Sequence, residues 1–186
     1  MHFQRIHIFG APGSGVTTLG KNLAETLNVP HFDTDDYYWI KQPDGLNYRR
    51  KRNPEHRRSL LAPDLEKNPA WVLTGSLCGW GDVFIPLFDF VIFLQAPEEI
   101  RLERIQKREI ERYGEERISA GGDLFGVYTK FLQWSAEYET RQEGLRSFQA
   151  EKNWLKMLQC PYFEWVATLP EGSVLQEITQ KMQEKP

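Results

Sequence analysis

Residues 10–18 form a glycine-rich stretch whose residue types could bind phosphate groups. It reads GAPGSGVTT, with Gly10 and Gly15 at the spacing of the G-x-x-x-x-G-K-[ST] motif and Thr17 at its hydroxyl position. Val16 stands where that motif has its lysine. Because glycines permit positive φ and a close approach to a ligand, backbone N–H groups there can surround an anion. This stretch, the phosphate loop, therefore predicts a phosphate site without a cation of its own.

We predict that the phosphate loop binds ATP together with Mg²⁺. Thr17 is the predicted Mg²⁺ ligand, and Thr18 offers a second hydroxyl to the phosphates. The residues assigned to the nucleotide are Gly10, Gly13, Ser14, Gly15, Val16, Thr17 and Thr18. A glycine-rich turn without a ligand is the alternative. The position of the loop, between a β-rich run and a helical pattern, favours the anion site because helix N-termini attract phosphate.

Three carboxylates follow the next β-rich run in the segment FDTDDYYW. They are Asp33, Asp35 and Asp36, and we call residues 33–36 the acidic turn. In open α/β sheets ligands bind at the carboxyl ends of strands, and residues 33 and 35 of an extended chain face the same side. We assign Asp33 a catalytic and Mg²⁺-binding role and Asp35 and Asp36 to the substrate, one of them accepting a hydroxyl proton. An ordinary acidic loop with a helix cap is the alternative.

A further predicted strand ends in TGSLCGWGD, at residues 74–82. The N–H of Gly75 and the hydroxyl of Ser76 could bind the acceptor substrate there, although a plain tight turn explains the pattern equally well.

A basic segment lies between the second and third predicted strands. Its cations are Arg49, Arg50, Lys51, Arg52, Arg57 and Arg58. Such a cluster can be a solvated surface, a nucleic-acid patch or a grip on an anionic substrate. We favour the substrate role, with Arg58 as the candidate and residues 41–60 as a cover over the acceptor site.

An amphipathic helix is predicted over residues 97–112, and it carries Arg101, Arg104, Arg108 and Arg112. The first three share one face. The polar, glycine-bearing residues 113–123 that follow have the composition of a mobile lid. We assign Arg104 and Arg108, at the base of this lid, to the transferring phosphoryl group. Ion pairs with glutamates of the same helix are the alternative, and Arg141 and Arg146 are further candidates.

Five β-rich runs alternate with helical patterns to position these side chains. The predicted strands cover residues 5–9, 31–36, 71–75, 90–96 and 162–168. Two of them, WVLTG and FVIFLQA, are continuously apolar, as buried parallel strands are. A helix is also predicted to begin at Asn53, as N-cap, with Pro54 in its first position. We predict one α/β domain over residues 1–186, with a five-stranded parallel sheet, helices on both faces and a short helical lid.

Composition limits the partners and the compartment. The 186 residues carry a net charge of −3, which argues against a nucleic-acid partner. Cys78 and Cys160 lack the spacing of a metal site or a disulfide framework. The most apolar stretch, residues 83–94, is broken by Pro86 and Asp89 and is too short to cross a bilayer. We therefore expect a cytoplasmic protein without a membrane partner, and the pattern defines no oligomeric state.

These motifs resemble the P-loop kinases of small molecules, which include adenylate and other nucleoside monophosphate kinases and the shikimate and gluconate kinases. The resemblance lies in GAPGSGVTTLGKNLAETLNVPHFDTDD and FVIFLQAPEEIRLERIQKRE, and more narrowly in an adenylate kinase-like bacterial group also called AAA-family ATPases. It implies a P-loop NTPase fold, with Arg104 and Arg108 on ATP or the transferred phosphate. It also maps the D-x-D of shikimate kinases onto Asp33 and Asp35. The chain departs from the family at Val16, and TGSLCGWGD lacks the D-G-F-P-R of adenylate kinases.

We therefore predict an ATP-binding, kinase-like protein that transfers the γ-phosphoryl group to a small-molecule or nucleotide acceptor. Loss of one well-placed charged donor removes on the order of 2–4 kcal/mol of transition-state stabilisation. The alternative is consequently a nucleotide-binding switch or sensor with little or no phosphotransfer, and Val16 is its main support.

Overall fold

A parallel five-stranded sheet forms the centre of the molecule. The computed structural model describes residues 3–43, 50–141, 146–167 and 171–184. The strands are β1 (Arg5–Gly10), β2 (His31–Asp33), β3 (Trp71–Thr74), β4 (Phe90–Gln95) and β5 (Tyr162–Val166). They lie in the order β2-β3-β1-β4-β5, and every neighbouring pair is parallel. The predicted fold class is confirmed.

Helices connect the strands on both faces of this sheet. They are α1 (Val16–Leu27), α2 (Thr34–Tyr38), α3 (Pro54–Glu66), α4 (Glu98–Tyr113), α5 (Glu115–Ile118), α6 (Phe125–Ala136), α7 (Phe148–Leu155) and α8 (Glu171–Glu184), with a 3-10 helix at Asp82–Leu87. The N-cap predicted for α3 is confirmed, because Asn53 Oδ1 accepts the His56 N–H at 2.8 Å and Pro54 follows. In the described part of the chain, no helix combines the length and apolar character that crossing a membrane requires.

Alternating side chains of the central strands build two apolar clusters. On one face, Ile6 and Ile8 of β1 pack with residues of α1 and α8. On the other face, Phe9 of β1 packs with α3, α7 and the 3-10 helix. Both faces are covered, which explains why β3 and β4 are apolar in almost every position.

The strand order places the end of β1 at a crevice. From β1 the chain crosses to β2 on one side of the sheet, whereas β3 leads past β1 to β4 on the other side. In parallel α/β sheets ligands bind where the order reverses in this way, beyond the carboxyl ends of the strands. The phosphate loop follows β1 directly and therefore lies at this crevice.

Candidate functional site

The phosphate loop packs tightly against the start of α4. Gly13 has a φ of +82°, and a β carbon on it would lie 2.4 Å from the carbonyl oxygen of Arg101. No side chain larger than hydrogen fits there without moving the backbone. The Ser14 N–H also donates to the Ala11 carbonyl at 3.1 Å, which closes the turn. The loop is thus held by its packing as well as by its own hydrogen bonds.

The N-terminus of α1 is open to an anion. Its N-cap is Gly15, which provides no side-chain acceptor, and its first turn contains no acidic residue. The buried Ser14 hydroxyl beside it has no hydrogen-bond partner within the described chain. Val16 packs against the apolar cluster under α1. These uncompensated donors at the positive end of a twelve-residue helix are what a phosphate group requires.

Three arginines donate to alternate carbonyl groups of the phosphate loop. The pairs are Arg146 with Gly10 at 3.0 Å, Arg101 with Pro12 at 3.3 Å and Arg104 with Ser14 at 3.3 Å. The arginines come from α4 and from the chain just before α7. The loop therefore has guanidinium groups around it, although it lacks the lysine of its motif.

Arg101 is the structural member of this set. It is fully buried, and its Nη2 donates to both carboxylate oxygens of Glu139, at 2.7 and 2.6 Å. The same guanidinium also donates to the backbone of Ser135 and Ala96. Because its charge is neutralised and its donors are engaged, Arg101 ties the loop to α6 and is closed to a substrate.

Arg104 and Arg108, both predicted to contact the phosphoryl group, differ in their surroundings. Arg104 is half-buried beside Gly15, and no carboxylate of the described residues lies within 4.0 Å of it. Arg108 is more exposed and pairs with Glu109 at 2.8 Å. The structure therefore brings Arg104 to the phosphate loop, whereas Arg108 forms the kind of ion pair expected as the alternative.

The acidic turn meets the phosphate loop through a single hydrogen bond. The Thr17 hydroxyl donates to Asp33 Oδ2 at 3.0 Å. The other oxygen of Asp33 accepts the Asp35 N–H at 3.0 Å, which makes Asp33 the N-cap of α2. The predicted extended conformation is confirmed for Asp33, the last residue of β2, and is wrong for residues 34–36. The cap starts a helix at Thr34, because a carboxylate satisfies an N–H group that the first helical turn leaves free.

This pair of side chains fits Mg²⁺ only in combination with phosphate. Among residues 3–43, 50–141, 146–167 and 171–184, no cluster of three His, Cys, Asp or Glu could hold a metal ion. Mg²⁺ is commonly bound by one or two carboxylates with substrate phosphates and water. Thr17 and Asp33, beside the open N-terminus of α1, match that ligand set.

Asp35 and Asp36 occupy different environments. Asp35 Oδ1 accepts the indole N–H of Trp39 at 3.2 Å. Although Asp35 is exposed as a residue, partial enclosure of its carboxyl and the charge of Asp33 raise its pKa, against the opposing effects of Arg146 and Arg108. Asp36 instead forms an exposed ion pair with Lys41 at 3.1 Å. The charges of Arg146 and Arg108 therefore act on Asp35.

The end of β3 lies beside the acidic turn. Gly75 follows β3 directly and is in contact with Thr34. The buried hydroxyl of Ser76 interacts with the carboxyl of Glu151 and helps to lower its pKa against the effect of burial. Arg58 reaches the same turn, because its Nη1 donates to the Trp80 carbonyl at 3.0 Å. These three predicted acceptor residues therefore surround one turn, and their substrate roles stay predictions.

Much of the basic segment supports the fold. Arg52 donates to the carbonyls of Asp36 and Tyr37 at the end of α2, at 3.0 and 2.9 Å. The guanidinium of the buried Arg57 lies 3.6 Å from the centre of the Tyr38 ring. Residues 44–49, which include Arg49 and part of the proposed cover, lie outside the described residues. Local backbone and ring contacts thus account for Arg52 and Arg57.

The predicted lid contains a short helix, α5, between two glycines in the left-handed region. Gly114 and Gly121 have φ values of +84° and +92° with open space around them. Arg117 and Asp123 form an exposed ion pair at 2.7 Å within the segment. Movement of this lid stays a prediction.

A buried carboxylate next to Arg146 was not identified from the sequence. Glu151 of α7 is fully buried, accepts a hydrogen bond from the Tyr138 hydroxyl and lies 3.6 Å from Arg146 Nε. Burial raises the pKa of Glu151, and the charge of Arg146 opposes that shift. The helical spacing could have predicted its burial, because a glutamate between Phe148 and Trp154 lies on the apolar face of the helix.

Comparisons with known proteins agree with this architecture. The AAA domain family matches residues 6–121, more than half of the chain. An uncharacterized protein of Bacillus subtilis, YqaC, is 42% identical over 158 residues, 85% of this chain and 85% of YqaC. The cytidylate kinase of Archaeoglobus fulgidus is 32% identical over 115 residues, 57% of this chain and 62% of that enzyme.

A solved structure extends the likeness to the whole fold. The shikimate kinase of Bacteroides thetaiotaomicron matches 98% of this chain and 99% of its own, with a TM-score of 0.57 and 19% sequence identity. At this identity the match shows the fold, which is that of the P-loop kinases of small molecules.

Proposed function

The chain belongs to the AAA domain family, and from this membership we propose that it binds Mg-ATP and transfers the γ-phosphoryl group to a small-molecule or nucleotide acceptor. The observation that carries the proposal is the hydrogen bond of 3.0 Å between Thr17 and Asp33. This bond links the phosphate loop, which is suited to bind a nucleotide, to the acidic turn, which is suited to bind an acceptor, at the carboxyl ends of the strands.

The phosphate loop holds the nucleotide phosphates in this proposal. The free N–H groups at the start of α1 and the unpartnered Ser14 hydroxyl provide neutral donors. Arg104 adds a positive charge beside Gly15. Backbone donors and a guanidinium together can bind phosphate strongly, because each charge-assisted hydrogen bond is about twice as strong as a neutral one.

Thr17 and Asp33 hold Mg²⁺ in this proposal. When bound there, the ion would neutralise negative charge on the phosphates. Asp33 also fixes the start of α2, so the same carboxylate sets the position of the acceptor side.

Asp35 is the proposed proton acceptor for the substrate hydroxyl. As the hydroxyl oxygen bonds to the γ-phosphorus, the bond from that phosphorus to the bridging oxygen breaks, ADP leaves and Asp35 takes the proton. Enclosure of its carboxyl raises the pKa of Asp35 and makes it a stronger base, which supports this role. Gly75, Ser76 and Arg58 would orient the acceptor, with Asp36 at the margin.

A sensor that binds nucleotide without transferring phosphate is the second candidate. Val16 favours it, because no lysine of the loop itself can stabilise the charge that develops in transfer. The arginines around the loop favour the kinase, since guanidinium groups can supply that charge from outside.

One experiment separates the candidates. The full chain is incubated with Mg-ATP and single acceptors: cytidylate, the other nucleoside monophosphates, shikimate and further hydroxy acids. ADP formation is followed, and Mg-ATP binding is measured in parallel by calorimetry. Acceptor-dependent ADP supports the kinase, binding without acceptor-dependent ADP supports the sensor, and absence of binding contradicts both.

A further inference from the structure

We propose that Arg146 supplies, together with Arg104, the positive charge that the phosphate loop lacks, and that it contacts the nucleotide phosphates from the acceptor side. This inference rests on the proposed function and extends it, since it assigns the missing cation to a residue far from the motif. Arg146 lies 130 positions after Val16, outside both the loop motif and the predicted lid, and the sequence offers it only as a further candidate beside Arg104 and Arg108.

The position of the guanidinium supports this assignment. Arg146 Nη2 donates to the Gly10 carbonyl at 3.0 Å, at the end of β1 where the phosphate loop begins. Glu151, which faces Arg146, also interacts with Ser76 after β3, so Arg146 lies on the side of the proposed acceptor residues. A cation in this position stands where phosphate and acceptor would meet. The side chain is 31% exposed and is open to a ligand.

Three neighbours hold Arg146 in place. The Arg141 side chain donates to the Arg146 carbonyl at 2.7 Å and fixes its backbone. The guanidinium lies 5.8 Å from the centre of the Trp134 ring, within the range of a cation–π contact. Glu151 faces it from α7. Because the supports come from α6, α7 and the chain between them, the cation is positioned before any ligand arrives.

The contact with Glu151 leaves Arg146 with unused hydrogen-bonding capacity. Arg146 Nε and Glu151 Oε1 are 3.6 Å apart, and within the described chain Arg146 Nε has no hydrogen-bond partner. The attraction between the two charges persists over such a distance, whereas no short hydrogen bond must break when the guanidinium shifts. Arg146 can therefore move from the Gly10 carbonyl to a phosphate oxygen while Glu151 continues to balance its charge.

The other arginines of the site are less suited to this role. Arg101 is buried and neutralised by Glu139, and Arg108 pairs with Glu109. Arg104 contacts the middle of the loop, at Ser14. Arg146 instead contacts the first residue of the phosphate loop and, through Glu151, adjoins Ser76 of the proposed acceptor side.

The test measures binding of Mg-ATP and of adenosine to Arg146→Ala, to Arg146→Lys and to Lys156→Ala, an exposed cation of the same region, as the matched control. Arg146→Ala is expected to weaken Mg-ATP binding about 10- to 100-fold and adenosine binding less than about twofold, because only ATP carries phosphate charge. The Mg-ATP affinity of Arg146→Lys is expected to stay within about tenfold of the wild type, and that of Lys156→Ala within about twofold. Adding Val16→Lys to Arg146→Ala is expected to recover Mg-ATP affinity at least about tenfold.

The outcomes distinguish this inference from the proposed function. If the wild type fails to bind Mg-ATP, the proposed function fails and the inference falls with it. If the wild type binds but Arg146→Ala binds equally well, only the inference is overturned. It is also overturned if Arg146→Ala loses ATP and adenosine to the same degree, or if Val16→Lys restores nothing. Thermal unfolding of each variant without ligand verifies that the compared proteins are folded.

Discussion

Gly75 lies so close to Thr34 that a β carbon on Gly75 would come within 1.9 Å of the threonine Oγ1. Gly75 follows β3 with a φ of +99°, and Thr34 is the first residue of α2. The end of β3 therefore packs closely against the start of α2, the helix that Asp33 caps. This contact sets the distance between the two halves of the proposed acceptor site.

Gly75→Ala is therefore expected to destabilise the protein by about 1–3 kcal/mol, because the backbone conformation and the contact with Thr34 both oppose a side chain. It is also expected to weaken Mg-dependent ATP binding, since Asp33 moves with α2. Gly126→Ala is the matched control, because Gly126 lies in α6 with open space around it. Denaturant unfolding and calorimetry measure both effects. Equal stabilities of the two variants would contradict the contact.

Asp33→Asn is expected to lower phosphotransfer by about 10²- to 10³-fold, the scale for loss of one charged group in a transfer site. The fold should persist, because Asn is as good an N-cap as Asp and can still accept the Asp35 N–H. Asp36→Asn is the control, since Asp36 is exposed and pairs with Lys41. The measurement is ADP formation, or ATP binding, as a function of Mg²⁺ concentration. An unchanged Mg²⁺ dependence in Asp33→Asn would remove Asp33 from the metal site.

The sheet could be predicted from the sequence, whereas the partners of individual arginines could not. The continuous apolar runs of β3 and β4 and the spacing of the phosphate loop are local patterns, and they define the strands and the loop position. The partners of Arg101 and Arg146 come from distant parts of the chain, 34 to 38 positions away for Ser135 and Glu139 and 136 positions away for Gly10. Only the folded chain brings them together.

The conformation of the acidic turn shows the same limit at short range. Alternation along an extended chain predicted that residues 33 and 35 face the same side, but Asp33 caps a five-residue helix instead. An aspartate is compatible with either role, because its carboxylate can cap a helix or bind a ligand. In Asp33 one carboxylate oxygen caps α2 and the second accepts the hydrogen bond from Thr17 of the phosphate loop.

Arg104→Ala is expected to weaken ATP binding by about 1.5 kcal/mol, or about tenfold, because one charge-assisted donor beside the phosphate loop is lost. Lys107→Ala removes an exposed cation from the same helix and is expected to change affinity less than about twofold. Calorimetric titration with Mg-ATP compares the two variants at one ionic strength. Equal losses in both would mean that the charge of α4 as a whole, and not the position of Arg104, attracts the nucleotide.

His7 is expected to make the protein sensitive to acid. Its ring is fully buried against Phe9, Phe88 and Trp154, and burial lowers its pKa from 6.5 to about 3, against the hydrogen bond with the Leu73 carbonyl. In the unfolded chain His7 binds a proton near pH 6.5, whereas in the folded chain it stays neutral down to about pH 3. The stability that the neutral ring contributes is therefore fully present above pH 6.5 and is lost as the pH falls toward 3. Between pH 7 and 5 the free energy of unfolding should fall by about 2 kcal/mol more in the wild type than in His7→Phe. Denaturant unfolding at each pH measures this difference, with His56→Gln, an exposed histidine, as the control, and parallel pH profiles for wild type and His7→Phe would contradict the buried neutral ring.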